Sequence, residues 1–136
     1  MKKLTFLIFL LTIVLSIVIT SCKKDAASIS KKELLTSNQW KFLSSKTNGV
    51  ADVIDNCEKD DFTIFSSNGT YAWNPTTVKC DPSETIQNGT WTLSSDEKTL
   101  TLDDVDVATI LELTGSKLVI STIDGSDIWE QTFVAF

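Results

Sequence analysis

Three sets of residues in this chain of 136 have types and spacings that could do chemistry. They are the cysteines at 22, 57 and 80, the carboxylate groups Asp60-Asp61 and Asp103-Asp104-Asp106, and an aromatic series running from Trp40 to Phe136. Paired carboxylates serve glycoside hydrolysis or Ca²⁺ binding when further ligands surround them. Here no such pattern is present. Asp124-Gly125-Ser126-Asp127 lacks the remaining ligands of an EF-hand loop and reads as a turn, and the acidic pairs read as solvated loop residues. The chain has no histidine, which removes the usual general base and the commonest zinc ligand. A serine nucleophile would need a lysine or carboxylate base, and no motif marks one. No catalytic residue, metal or cofactor is therefore expected, and the chain is not read as an enzyme. All 12 basic residues are lysine against 18 acids, a net charge of −6, which argues against nucleic acid as a partner.

The cysteines are explained by the N-terminus. Lys2 and Lys3 precede an uncharged apolar run, Leu4 to Ile19. At ~1.5 Å per residue that run is about 24 Å long, short of the ~30 Å needed to span a bilayer. It ends in Ile19-Thr20-Ser21-Cys22, which resembles the lipobox of bacterial lipoproteins. Small side chains before the cysteine let the backbone enter the peptidase, and the thiol accepts diacylglycerol. Residues 1–21 are expected to be a signal peptide and Cys22 the lipidation site, with two or more acyl chains anchoring the protein to a membrane. Residues 22–29 form a polar tether, and 30–136 form the folded domain. Cys22-Lys23-Lys24-Asp25 resembles the start of Bacteroidetes lipoproteins. That resemblance implies a place in the cell envelope, at the outer membrane, with the periplasmic or surface face undetermined. In an oxidising compartment the remaining pair, Cys57 and Cys80, reads as a disulfide. It would stabilise the fold by roughly 3 kcal/mol.

The elements that must position these residues are mostly strands. One helix is signalled at the start: Ser30-Lys31-Lys32-Glu33 fits a capping box, with Ile29 and Leu34 as a hydrophobic staple, and an end near Ser37-Asn38. Beyond it, short β-rich runs alternate with turn residues. Eight strands are expected, at Gln39–Lys46, Asp61–Ser66, Thr70–Asn74, Ile86–Leu93, Lys98–Asp103, Val107–Leu113, Lys117–Ile123 and Ile128–Val134. Both prolines fall between the third and fourth, so no strand is interrupted. Short turns imply that successive strands pair, and a meander of eight removes its edges by closing into a barrel. An open, curled sheet is the alternative. Alternation turns Trp40 and Phe42, Tyr71 and Trp73, Trp91 and Leu93, Leu100 and Leu102, Leu111 and Leu113, Leu118 and Ile120, and Trp129 and Phe133 inward. In the second strand the choice between Phe62/Ile64 and Thr63/Phe65 stays open.

The leading helix, Gln39-Trp40-Lys41-Phe42, Cys57-Glu58-Lys59-Asp60-Asp61, Phe65-Ser66-Ser67-Asn68-Gly69-Thr70-Tyr71, Gly89-Thr90-Trp91-Thr92-Leu93 and Leu111-Glu112-Leu113-Thr114 together resemble the lipocalin-like domain of Bacteroidetes lipoproteins. The resemblance runs from about residue 33 to 134. It implies an all-β, eight-stranded antiparallel up-and-down barrel with a short N-terminal helix, and no catalytic residues. By analogy it suggests a small apolar or amphiphilic ligand held inside. The candidate lining is Trp40, Phe42, Tyr71, Trp73, Trp91, Leu102, Leu113, Ile120, Trp129 and Phe133. An eight-stranded barrel either fills itself with side chains or holds one small ligand, and the aromatic content is compatible with both. A filled barrel would point instead to an accessory protein docking another envelope protein through residues 133–136 or the loop 52–57. A monomer is expected in either case.

Overall fold

A computed structural model describes residues 29–136. The expected signal peptide, the acylation site Cys22 and the tether up to residue 28 lie outside the described residues. Ser30 caps helix α1 (Lys31–Thr36), its Oγ accepting the Glu33 N–H at 3.1 Å. Ile29, the expected staple residue, is 60% exposed. Nine strands come after it: β1 (Gln39–Thr47), β2 (Val50–Ala51), β3 (Phe62–Phe65), β4 (Thr70–Asn74), β5 (Gln87–Leu93), β6 (Thr99–Leu102), β7 (Asp106–Leu113), β8 (Lys117–Asp124) and β9 (Asp127–Ala135).

Each of β3 to β8 pairs antiparallel with the next, and β1 pairs with both β3 and β9, so eight strands close into a barrel. The extra strand β2 is a hairpin turned back on the end of β1, with Lys46 opposite Ala51 and Thr47 opposite Val50. Its turn uses left-handed backbone at Asn48 and Gly49, the conformations a tight hairpin needs. The expected strands match the observed ones to within one residue at each end.

Inward and outward faces obey alternation except at two bulges. The β1–β9 register shifts between Phe42 and Ser44, and the β7–β8 register between Ile110 and Glu112. One extra residue flips the phase of every later position in its strand. Leu111, expected inside, is the extra residue on β7 and is 54% exposed, while Ala108, Ile110 and Leu113 belong to the core. Leu43 plays the same part on β1, so that Trp40 and then Ser45 are buried. In β3, Thr63 pairs with the inward Trp40 and Trp73, and Phe65 is buried. Phe62 and Ile64 therefore face out, where the Phe62 ring meets Phe136 edge-on at 5.4 Å.

The two ends of the barrel differ. At one end the turns are short and α1 lies across them. Leu35 is fully buried in the core, Lys31 Nζ donates to the Glu97 carbonyl at 2.9 Å, and Asn38 Nδ2 donates to the Gly115 carbonyl at 3.2 Å. Trp40 Nε1 donates to the Leu35 carbonyl at 2.8 Å, fixing the helix to the first strand. Phe65, Tyr71 and Trp91 pack ring against ring above this floor. The opposite end carries the long connections, residues 52–61 and 75–86. Cys57 and Cys80 join these two loops in a disulfide, with 5.1 Å between their Cα atoms. Among the described residues no helix is long and apolar enough to cross a membrane.

Candidate functional site

The barrel is not filled. A cavity of about 240 Å³ runs through its middle, lined chiefly by Trp40, Phe65, Tyr71, Leu100, Leu118 and Phe133. The cavity continues towards the disulfide end into a mouth of about 390 Å³. Trp40, Thr63, Trp73, Gln131 and Phe133 border both spaces.

Of the expected lining, Trp40, Tyr71, Trp73, Leu102, Ile120 and Phe133 border the cavity, and Phe42 borders the mouth. Trp91 is buried in the core beneath it, its Nε1 donating to the Ser66 and Thr70 carbonyls at 3.0 Å. Leu113 packs against the same core. Trp129 has the inward phase but sits at the rim, 42% exposed, and borders neither space.

Asp103, Asp104 and Asp106 are exposed, as expected of solvated loop acids, and Asp61 alone of these carboxylates is buried. Asp103 ties strands together: its Oδ2 accepts the Tyr71 hydroxyl at 2.7 Å and its Oδ1 the Thr90 N–H at 2.7 Å. Those two bonds hold its carboxyl below the usual range, and the same carboxylate, together with a smaller effect of burial, pushes the Tyr71 phenol up to about 12. The bond crosses Gly89, where a Cβ would fall 2.5 Å from Tyr71 Cε1, so any larger residue there would have to displace the Tyr71–Asp103 pair. Asp60 accepts the Thr76 hydroxyl and, at 3.4 Å, the Val78 N–H, joining the two mouth loops. The Thr76 bond is the main reason its pKa is lowered.

Asp61 is different in kind. It is 7% exposed, its Oδ1 has no hydrogen-bond partner among the described residues, and it borders the mouth. Burial first, then the charges of Asp60, Glu84 and Glu58, push its pKa from 3.8 up to about 6. Residues 61, 63 and 65 share one face, so the signal for Asp61 was the phase of β3, which alternation alone left open.

Because folding raises this pKa, the group's stabilising contribution is complete below pH 4. It falls as pH rises through 6, and above 6 the buried charge destabilises the fold. Asp61→Asn is therefore expected to raise stability by about 2 kcal/mol at pH 8 and by almost nothing near pH 4. Denaturant titrations of both proteins across that range check it, and a gain independent of pH would refute the assignment.

A family model described as a lipocalin-like domain matches residues 37–120. No curated protein and no solved structure matches the chain.

Proposed function

We propose, from the premise that this chain belongs to the lipocalin-like domain family, that it is a non-catalytic binding protein holding one small apolar or amphiphilic ligand in its barrel. The observation that carries this reading is the apolar cavity of about 240 Å³ that opens into the wider mouth. Enclosed apolar surface of this kind is largely pre-formed, so little ordering opposes entry of an apolar body. The N-terminal sequence adds the setting: Cys22 acylated, the domain tethered to a membrane of the cell envelope, and the outer membrane as its address.

Tryptophan fluorescence tests the binding. Trp40 and Trp73 border the cavity, so titration with decanol is expected to shift or quench their emission and saturate at one molecule per chain. Leu102 also borders the cavity, and Leu102→Trp would place a large ring in that space. This variant should melt cooperatively yet lose the decanol response. An unchanged response in the variant, or none in the wild type, would remove the reading.

One feature favours a second function, docking of another envelope protein. Val50, Val53, Ile123, Ile128 and Trp129 are all at least 42% exposed. Ile123 pairs with Ile128, and Thr47 lies between Val50 and Trp129. Val50 and Trp129 thus take the inner side of this rim and Ile123 and Ile128 the outer side, so apolar side chains are exposed on both sides of the edge.

A further inference from the structure

We propose that the ligand is a cationic amphiphile, an amine or related organic cation on an apolar body, whose charge is met at the mouth by the Asp61 carboxylate. The inference rests on the binding function proposed above and narrows its ligand class.

Three acids, Glu58, Asp61 and Glu84, border the mouth, and no lysine does. Of the nearby lysines, Lys59 Nζ is turned to Asn56 Oδ1 at 3.0 Å, and Lys79 Nζ is held at the rim on the Glu84 carbonyl at 2.5 Å without bordering the mouth itself. Glu58 Oε2 accepts the Asp55 N–H and Glu84 Oε2 the Cys80 N–H, both at 3.0 Å. Asp60 and Asp61 each have a buried Oδ1 without a partner, but Asp60 accepts from Thr76 and Val78 through its other oxygen and does not border the mouth, whereas Asp61 is the buried residue of the two and lies in the mouth lining. A buried carboxylate without donors costs stability. Its neighbours Asp60, Glu58 and Glu84 add repulsion. Whatever enters with a positive charge and N–H donors relieves both penalties at once.

The surrounding chemistry selects an organic cation over other ligands. Among the described residues no three acids converge closely enough to hold a metal ion, so the negative charge is spread around an opening. Phe42 and Trp73 border that opening, and aromatic faces attract ammonium groups. A fatty acid entering tail first would bring its own carboxylate against Asp61 and Glu84, where like charges repel. The apolar space beyond Trp73 accepts the hydrocarbon part.

The experiment compares decylamine, decanol and decanoate, three heads on one chain, by tryptophan fluorescence titration of the domain at pH 7.5 and 0.15 M salt. Decylamine is expected to bind at least about tenfold more tightly than decanol, with decanoate weakest. Asp61→Asn is expected to bring the amine-to-alcohol affinity ratio close to one. In the wild-type protein the same ratio should fall when pH is lowered from 7.5 to 5, because Asp61 gains a proton near 6 while the amine stays charged. Glu58→Gln with Glu84→Gln should lower the ratio less than Asp61→Asn does. Equal binding of all three probes, a preference for decanoate, or an undiminished amine preference in Asp61→Asn would overturn the cation while leaving the binding function standing. No binding of any probe would overturn both.

Discussion

Trp40→Ala is expected to lower the free energy of unfolding by about 3–5 kcal/mol. Trp40 is fully buried and reaches three parts of the fold. Its ring is in the core cluster, its indole N–H holds the Leu35 carbonyl, and its backbone pairs with both β3 and β9 where the barrel closes. Removing the ring opens a void that joins the existing cavity and frees α1 from the floor. Domains of this size are stable by about 5–15 kcal/mol, so the loss is a large share of the total, and the melting temperature should fall by more than about 12 °C. Trp40→Phe separates the contributions. It keeps an aromatic ring but leaves the Leu35 carbonyl without its donor, a loss of about 1–3 kcal/mol. Denaturant titrations of the two variants measure both terms. If Trp40→Ala lost less than about 1 kcal/mol, Trp40 would not be the post on which the helix and the closing strand depend.

Removal of the disulfide ranks next. Cys57→Ala with Cys80→Ala is expected to lower stability by about 3 kcal/mol, the effect of freeing a loop of this length in the unfolded chain. A reducing agent should destabilise the wild-type protein similarly and leave the double variant unaffected. The loss should also be uneven across the molecule. The bridge joins only the two mouth loops, whereas β1, β8 and β9 are held by long ladders of backbone bonds. Amide hydrogens in 52–61 and 75–86 should then exchange quickly in the double variant while those of β8 and β9 stay protected. Equal loss of protection in both regions would show that the bridge supports the whole barrel.

Strand positions were legible because each is bounded by residues with strong local preferences. Ser67-Asn68-Gly69, for example, forms a turn in which Asn68 Oδ1 accepts both the N–H and the hydroxyl of Thr70. The barrel followed from short turns that pair successive strands, with an open sheet as the alternative, its lipocalin-like character came from a resemblance of motifs, and the Cys57–Cys80 pair came from cysteine arithmetic. What escaped depends on partners far along the chain. The bulges at Leu43 and Leu111 exist because β1 and β7 must stay in register with β9 and β8, and nothing at those leucines announces an extra residue. The hairpin β2 is too short for any periodic signal. Asp61 looked like a loop acid because its burial is created by the disulfide-linked loops folding over it. The cavity could not be read either, since aromatic count fixes how much surface is available and not whether the rings meet at the centre.

Helix α1 gives the molecule an orientation. The polypeptide reaches the barrel through this helix, which covers the closed floor, while Asp61 and the mouth lie at the far end. A lipid on Cys22 would thus hold the domain by its base, as a cup stands on a table. With the anchoring proposed above, the brim would be the part of the barrel farthest from the point of attachment.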